Sequence, residues 1–291
     1  MSVAVVSDST HYLPREVVER HGIHTVSLYV TWDGRTEREA EMEDFGAFYE
    51  HLARASSLPG TSQPSNGDFL AVYEPLIERG DDIVSIHLSG GISGTVRSAA
   101  QARDQLIERG VDPARIEVVD SATGCAGHGL MAIAAANAAA AGAGVAEAAA
   151  RARELRGVMQ ILFAVDTLEY LRRGGRIGAA QAWLGGALKI KPILTLDGEI
   201  TPVERVRTSK RAFERMVEYM HERQADGADA WVVQHVQAED VAQRLVARGR
   251  EVFGGEPAFV SEVGPVIGAH VGPGLVGFGG IPLALLGDAP R

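Results

Sequence analysis

Three short runs in the first half of the chain consist mainly of apolar and β-branched residues, without alternation of polar and apolar positions. They are VAVVSD at 3–8, DIVSIHLS at 82–89 and RIEVVDS at 115–121. Strands of this kind are buried on both faces, which is typical of a parallel sheet covered by helices on either side. A polar turn and a helical pattern follow these runs. We therefore predict an α/β layer with a mainly parallel sheet flanked by helices.

The second half of the chain has a different pattern of apolar runs, turns and glycines. After an alanine-rich stretch at 130–150, it continues with GVMQILFAVDTLEYLRRGGRIG, a turn at LDGEI, the strand pattern AWVVQHV and a glycine-rich end. We therefore predict two domains, an N-terminal α/β domain at 1–155 and a C-terminal α/β domain at 156–291. The alanine-rich stretch contains two glycines, so we expect a buried helix of a soluble protein rather than a membrane span.

Charge and cysteine content argue against several classes of protein. The 291-residue chain has a net charge of -10, and an acidic surface repels phosphates, so no nucleic-acid partner is expected. Its one cysteine, Cys125, can form neither an intrachain disulfide nor a zinc cluster, which favours a cytoplasmic protein. The start MSVAVVSDST has no basic region and no long apolar run. We expect a first strand there rather than a signal peptide, and no stable membrane insertion.

Catalytic motifs are few. The stretch GPGLVG at 272–277 spells a dinucleotide-binding fingerprint, but only 14 residues follow it, too few for the helix and second strand of that fold. HLSGG at 87–91 resembles a nucleophile elbow with His87 in place of the first glycine, which leaves Ser89 open as a nucleophile. The sequence has no Walker A loop, no H-E-x-x-H motif and no carboxylate cluster with metal spacing. We therefore predict neither a cofactor nor a metal ion.

Neutral hydrogen-bond donors form the remaining pattern. Ligands of parallel sheets bind at the carboxyl ends of the strands, and GGISGT at 90–95 follows one of these ends and precedes a helix. Ser93 and the backbone N–H groups of Gly94 and Thr95 would lie at the N-terminus of that helix, where an anion is favoured, unless Ser93 serves only as its cap. His270 lies in a second loop, rich in glycine and proline. Hydroxyls, amides and one imidazole, without a fixed lysine or arginine, suit a single carboxylate better than a phosphate.

The stretch PGTSQPSNGDF at 59–69 adds three hydroxyls to this pattern. Ser65 followed by Asp68 predicts a capping box at the start of a helix, which accounts for Ser65. Thr61 and Ser62 precede the cap in a segment stiffened by two prolines, so capping does not explain them. Their role has to come from elsewhere in the chain.

Six motifs follow one another along the whole length of the chain. They are DSTHYLP at 8–14, TSQPSNGDF at 61–69, SGGISGT at 89–95, DTLEYLRRGGRIG at 166–178, KIKPIL at 189–194 and EVGPVIGAHVGPG at 262–274. Together they resemble the DegV family of bacterial lipid-binding proteins. The resemblance implies two α/β domains with a long-chain fatty acid buried between them.

The same resemblance implies a carrier rather than an enzyme, which presents its fatty acid to a separate fatty acid kinase that forms the acyl phosphate. It assigns the carboxylate to the hydroxyls of T-S-Q-P-S and S-G-x-S-G-T and to the histidine of G-A-H, which here are Thr61, Ser62, Ser93 and His270. Two departures limit the comparison. Val271 replaces a threonine common in the family, which removes a polar contact, and the stretch at 120–129 differs, so no preference for acyl length carries over.

Two other functions remain open at this point. A serine hydrolase acting on acyl esters would use Ser89 or Ser93 as nucleophile and His270 as base. A lipid sensor would bind the same ligand, and the ligand would only stabilise the sensor protein.

One segment, from Arg172 to Arg211, is basic within an acidic chain. It holds nine basic and three acidic residues, a charge of +6, so the rest of the chain must carry -16 to give -10. Such a field can steer a negatively charged partner, although solvated surface charges would give the same count. The resemblance favours a docking surface for the kinase that includes Arg173, Arg176 and, in the VRTSK turn, Arg207. The basic residues are Arg172, Arg173, Arg176, Lys189, Lys191, Arg205, Arg207, Lys210 and Arg211.

Overall fold

The computed structural model describes residues 2–184 and 190–287. In this part of the chain the strands form three sheets of four, six and three strands. The strands are β1 (Val3–Asp8), β2 (His24–Val26), β3 (Tyr29–Trp32), β4 (Arg35–Arg38), β5 (Gly60–Ser62), β6 (Asp82–His87), β7 (Ile116–Asp120), β8 (Gln160–Ala164), β9 (Lys191–Asp197), β10 (Glu199–Val206), β11 (Ala230–His235), β12 (Phe259–Glu262) and β13 (Val276–Ile281).

The helices alternate with strands through most of the described chain, as the periodicity predicts. They are α1 (Arg15–His21), α2 (Gly46–Arg54), α3 (Asn66–Glu78), α4 (Thr95–Glu108), α5 (Ala126–Ala140), α6 (Val145–Val158), α7 (Glu169–Arg173), α8 (Ser209–Ala225), α9 (Glu239–Phe253) and α10 (Pro265–Val271).

The four-stranded sheet has the order β2-β1-β6-β7, and all its strands are parallel. Along β6, Val84 and Ile86 pack with α5 and α6, whereas Ile83 packs with α3 and α4 on the opposite face. Both faces are therefore buried, which is why apolar residues occupy both faces of these strands rather than alternate ones. The predicted parallel α/β layer is confirmed.

The six-stranded sheet has the order β10-β9-β8-β13-β11-β12 and is antiparallel except for the β11–β12 pair. Helices α8 and α9 cover one face, where Trp231 and Phe278 are buried with Met216. The small sheet, β4-β3-β5, lies against α10 from the end of the chain. The predicted C-terminal α/β domain is therefore also confirmed as a sheet with helices.

Two local predictions have different outcomes. The capping box is confirmed, because Ser65 Oγ accepts from the N–H of Asp68 at 3.2 Å while the Asp68 carboxylate accepts from the N–H of Ser65 at 2.8 Å. The prediction of one helix in the alanine-rich stretch is wrong, since the stretch belongs to two helices, α5 and α6. Gly142 adopts a φ of +96° in the turn between them, a backbone conformation that glycine tolerates and alanine does not.

The proposed domain boundary at 155/156 falls inside α6, which packs on the first sheet, and the next strand, β8, belongs to the second. The boundary stays a prediction. The segment that holds β3, β4 and β5 lies about a hundred residues before this boundary. Its buried side chains nevertheless share a core with side chains of residues 163–275, on the other side of the boundary. Within the described residues, no helix is both long enough and apolar enough to span a bilayer.

Candidate ligand-binding site

A cavity of about 310 Å³ lies where the carboxyl ends of the first sheet meet the open face of the second. This is the position at which parallel α/β sheets hold ligands. Its wall is mainly apolar and comes from both halves of the chain. The apolar lining residues are Leu28, Leu88, Ile92, Ala126, Ile161, Phe163, Leu171, Leu196, Ile200, Val232, Val263, Val266, Ile267, Val271, Leu275 and Phe278.

Two glycines of β13 keep space open on the inner face of the six-stranded sheet. Successive side chains of a strand point to opposite faces, and Phe278 packs under α8 and α9. Gly277 and Gly279 therefore face the cavity, which both of them line. A Cβ at Gly279 would lie 3.5 Å from Ile161 and from Val232, which is ordinary contact distance. The absent side chains leave room for a ligand between the sheets.

Polar groups gather at one end of this cavity, where β5 approaches α10. Thr61 Oγ1 lies 2.8 Å from His270 Nε2, although 209 residues separate them in the chain. Thr61 is held by antiparallel pairing of β5 with β3, and α10 carries the histidine. The structure thus brings together two of the predicted site residues.

The imidazole of His270 is neutral at physiological pH. Burial lowers the pKa of His270, and the positive charge of Arg176 lowers it further, to about 4. Nδ1 of this ring is buried and has no partner among the described residues. A buried N–H without an acceptor is costly, so the ring proton belongs on Nε2, which donates to Thr61 Oγ1. The hydroxyl hydrogen of Thr61 then remains available to donate to a ligand.

Ser93 and Gly94 line the cavity at the start of α4, as predicted for the helix N-terminus. Ser93 Oγ accepts from the N–H of Thr95 at 3.3 Å and lies 2.8 Å from Thr95 Oγ1. The N-cap residue of α4 is Gly94, so Ser93 contacts the first turn from one position before the cap and also lines the cavity. Thr95 is not among the residues that line the cavity, and its amide and hydroxyl both engage Ser93.

Ser62 and its neighbour Gln63 complete this polar end. Both line the cavity and both are exposed. Gln63 Nε2 donates to Ser98 Oγ on α4 at 2.9 Å, which joins β5 to the helix that carries Ser93. A Cβ at Gly94 would collide with the Gln63 amide, so the missing side chain lets this amide pack on the backbone of Gly94.

Arg176 also lines the cavity, which corrects the expectation of a site without a fixed arginine. The turn after α7 places it, because Arg176 Nη1 donates to Gly174 O at 2.7 Å and its Nε donates to Ile92 O at 3.4 Å. It forms no ion pair within the described residues, so its charge faces the polar end of the cavity without a carboxylate partner. Arg176, predicted as part of a docking surface, thus contributes to the cavity wall.

Two of the motifs pack directly on each other around this arginine. A Cβ at Gly174 would strike the ring of His270, and a Cβ at Gly272 would strike the ring of Tyr170. The ring of His270 therefore packs on the backbone of Gly174, and the ring of Tyr170 packs on the backbone of Gly272, which accounts for a glycine in each segment.

A buried carboxyl group fixes the start of α10. Glu39 Oε1 accepts from the N–H of Val266 at 2.8 Å and from the hydroxyl of Tyr12 at 2.9 Å, while Oε2 accepts from Ser9 Oγ at 2.6 Å. Burial raises the pKa of Glu39 to about 7, despite these three donors. This network ties the end of β1 to the helix that carries His270.

The serines proposed as nucleophiles do not contact the proposed base. Ser89 is buried and donates to the carbonyl of Gly198. The partner of His270 is Thr61, so neither Ser89 nor Ser93 forms with His270 the nucleophile–base pair that a hydrolase requires.

A Ser–His–Asp arrangement does exist elsewhere, in the first sheet. Ser85 Oγ lies 2.7 Å from His87 Nε2, and His87 Nδ1 lies 3.1 Å from Asp8 Oδ2. All three side chains are fully buried, and Ser85 Oγ also accepts from Tyr73. Burial raises the pKa of Asp8, but His128 and His87 outweigh it and hold that pKa well below its usual range. A substrate cannot reach this cluster, so it stabilises the fold.

Several basic residues of the segment from Arg172 to Arg211 are already paired with acidic side chains, so fewer charges are available to a partner than the net charge suggests. Arg172, Lys191, Lys210 and Arg211 form ion pairs with acidic neighbours. Lys189 lies outside the described residues. The remaining arginines have other surroundings. Arg173 donates to Ser56 O, Arg176 lines the cavity, Arg205 lies over the ring of Trp183, and Arg207 is exposed between β10 and α8.

Comparison with known proteins agrees with this architecture. The model of the DegV family, described as "uncharacterised protein, DegV family", matches residues 2–283. The chain belongs to the DegV family. Protein DegV of Bacillus subtilis is 38% identical over 280 residues, covering 95% of this chain and 98% of that protein.

Solved structures share the fold along nearly the whole chain. A DegV family protein from Thermus thermophilus, described by its fatty acid binding, has a TM-score of 0.86 and 35% identity, covering 97% of this chain and 100% of its own. A stearic-acid-binding protein from Eubacterium ventriosum has a TM-score of 0.84 and 25% identity, covering 96% and 98%. The fold predicted from the DegV resemblance is confirmed.

Sequence reasoning missed three contributors to the site. Gln63, Arg176 and the pair Gly277 and Gly279 line the cavity but were not assigned to it. The signal for the glycines was present, because a strand that places glycine at alternate positions leaves one face without side chains. No local pattern could indicate Arg176, whose position depends on a turn packed against α10. Val271, a departure from the family pattern, supplies apolar wall.

Proposed function

We propose that this DegV protein binds one long-chain fatty acid, with its acyl chain in the cavity and its carboxylate at the polar end. One observation carries the proposal, namely an apolar cavity between two sheets that ends in a cluster of neutral hydrogen-bond donors. The fatty acids bound by its solved relatives support this ligand class.

The apolar part of the ligand supplies most of the binding free energy. Each buried methylene contributes about 0.8 kcal/mol, so an alkyl chain of more than ten carbons outweighs the cost of immobilising it. A small cyclic ligand would contact only part of the apolar wall that β8, β11 and β13 provide, whereas an alkyl chain can contact all of it.

The polar end selects a carboxylate. The hydroxyls of Thr61 and Ser93 and the N–H of Gly94 can donate to its two oxygens, and Arg176 supplies positive charge. Because His270 Nε2–H is used by Thr61, the imidazole acts on the ligand through the orientation of that hydroxyl. Ser62 is the outermost hydroxyl of the set.

We further propose that the protein is a cytoplasmic carrier that presents the fatty acid to a separate fatty acid kinase. In that reaction a carboxylate oxygen attacks the terminal phosphorus of the kinase's nucleoside triphosphate. The bond from that phosphorus to the bridging oxygen breaks, and the nucleoside diphosphate leaves. The carrier's own residues only bind and orient the carboxylate. The polar end of the cavity, where the carboxylate would lie, includes the exposed Arg176.

The test of binding uses the purified protein directly. Organic extraction followed by mass spectrometry should yield about one fatty acid per chain, and added palmitate or oleate should raise the melting temperature of delipidated protein by mass action. Failure of both measurements on folded protein would exclude this ligand.

Head-group variants separate binding from catalysis. Thr61→Val and Ser93→Ala should each weaken fatty-acid affinity on the order of tenfold, since each removes a hydrogen bond to a charged group. Thr36→Val, at an exposed threonine of β4 that does not line the cavity, serves as the matched control and should leave the affinity unchanged. A serine hydrolase would instead turn over a chromogenic acyl ester and lose that turnover in Ser93→Ala while keeping its affinity.

A further inference from the structure

Two buried polar side chains interrupt the apolar wall of the cavity. They are Thr123, which follows β7, and Gln234, which lies on β11, and their exposed fractions are 2% and 5%. Neither belongs to the cluster of Thr61, Ser93 and His270 at the polar end. A ligand in the cavity would therefore meet polar groups at a second place besides its carboxylate.

Thr123 lies along the acyl part of the cavity, beside α5. A Cβ at Gly127, in the first turn of α5, would lie 2.8 Å from Thr123 Oγ1 and 2.6 Å from Ile161. Ile161 is also a neighbour of Gly279, whose missing side chain leaves room for the ligand on β13. Thr123, Ile161 and Gly279 thus follow one another across the space between α5 and the second sheet.

The hydroxyl of Thr123 has no hydrogen-bond partner among the residues that the structure describes. Its backbone is held in place, because the N–H donates to Ser121 Oγ at 3.2 Å and the carbonyl accepts from the N–H of Ser89 at 2.7 Å. The residue is therefore fixed in the wall while its hydroxyl keeps an unused donor and acceptor. Burying such a hydroxyl without a partner costs free energy, so an alkyl chain that covers Thr123 should bind less tightly than a ligand that offers it a partner.

Gln234 supplies an acceptor to the same part of the wall. Val233 packs under α8 and α9, so Gln234, the next residue of β11, faces the cavity. Fixed partners orient its amide, because Oε1 accepts from the N–H of Ala126 at 2.6 Å while Nε2 donates to Ser261 Oγ at 2.9 Å and to His11 O at 3.5 Å. An amide oxygen has two lone pairs, so Gln234 Oε1 can accept one further hydrogen bond.

We propose that the cavity prefers a long-chain fatty acid that carries one hydroxyl group on its acyl chain, at the carbon that passes Thr123 and Gln234. The proposal rests on the fatty-acid function proposed above. A hydroxyl group both donates and accepts, so it can accept from Thr123 Oγ1 and donate to Gln234 Oε1. These two hydrogen bonds replace the hydration that the ligand hydroxyl loses, and they also give the Thr123 hydroxyl its partner.

The experiment compares stearate with its monohydroxy isomers, in which the hydroxyl group moves along the chain one carbon at a time. Affinities are measured by displacement of a fluorescent fatty acid from delipidated protein. Isomers whose hydroxyl reaches Thr123 should bind on the order of tenfold more tightly than stearate. Isomers with the hydroxyl at other buried carbons should bind more weakly than stearate, because that hydroxyl loses its hydration without gaining a partner. The head group is the same in all these ligands, so the profile reports only on the acyl part of the cavity.

A keto group at the preferred carbon tests the part played by Gln234. A keto oxygen can accept from Thr123, but it has no hydrogen to donate to Gln234 Oε1. The ketostearate should therefore bind more weakly than the hydroxystearate with the same substituted carbon. Equal affinity for the two ligands would contradict the proposed hydrogen bond to Gln234.

Variants of Thr123 separate its hydroxyl from its shape. Thr123→Val removes the hydroxyl and keeps the volume, so it should abolish the advantage of the preferred hydroxystearate. Stearate should bind to this variant at least as tightly as to wild type, because no hydroxyl is left unpaired. Thr123→Ser keeps the hydroxyl and should retain the preference. Thr36→Val, at an exposed threonine of β4 that does not line the cavity, is the matched control and should behave as wild type.

The same data separate this inference from the function on which it rests. The proposal is wrong if no isomer binds more tightly than stearate, if Thr123→Val keeps the preference, or if Thr123→Ser loses it. With stearate bound, each of these results leaves the fatty-acid function intact. Failure of folded wild-type protein to bind stearate and every isomer would contradict the fatty-acid function as well.

Discussion

We predict that the cavity-facing glycines of β13 set the longest acyl chain that the cavity can hold. Gly279 lies between Ile161 and Val232, its backbone does not adopt a positive φ, and a Cβ there would meet both neighbours at ordinary contact distance, so we expect a valine to fit with its methyl groups toward the cavity. Its three side-chain carbons would occupy cavity space that about three methylenes of the ligand would otherwise fill. At about 0.8 kcal/mol per methylene, Gly279→Val should cost the longest ligands about 2.4 kcal/mol, or roughly 50-fold in affinity.

The assay is a series of saturated fatty acids of increasing length, measured by displacement of a fluorescent ligand. In wild type, affinity should rise about fourfold per methylene until the cavity is filled. In Gly279→Val the rise should stop about three carbons earlier, with unchanged affinity for shorter acids. Gly255→Val, at an exposed glycine with no neighbour within 4 Å, is the control. An unchanged plateau in a folded Gly279→Val protein would show that the acyl chain does not run along β13.

Three further predictions concern stability and the partner. Because burial raises the pKa of Glu39 from 4.5 to about 7, the stability provided by its protonated form is complete below pH ~4.5 and is lost as pH rises through about 7. Urea unfolding of wild type and Glu39→Gln should therefore diverge by about 3 kcal/mol over that window, and parallel curves would contradict the burial argument. Asp8→Ala should lower the free energy of unfolding by about 3–5 kcal/mol, since it leaves the buried His87 without its partner, and a loss below 1 kcal/mol would refute this. Arg207→Ala should leave fatty-acid affinity within about twofold but slow kinase-dependent phosphorylation at low salt, whereas Arg15→Ala should not; a wild-type rate would remove Arg207 from the docking surface.

Local sequence was sufficient for the elements whose stability is local. Ser65 and Asp68 are three residues apart, and their reciprocal hydrogen bonds form within one turn of α3. The mainly apolar runs of β1, β6 and β7, which do not alternate with polar residues, indicated burial on both faces, because an unpaired polar side chain on a covered face would lose its hydration. The motifs that resemble the DegV family identified Thr61, Ser93 and His270 as candidates before any geometry was known.

Only the tertiary structure decided how these candidates meet. Thr61 reaches His270 because the small sheet packs on α10, and no pattern within either segment indicates the contact between them. Arg176 lines the cavity because a turn packed against α10 positions it there, and its predicted role in docking a kinase stays a prediction. Sequence determines which strands are buried and which side chains can donate hydrogen bonds. The location of a cavity depends on contacts between distant segments, whose packing determines where space remains.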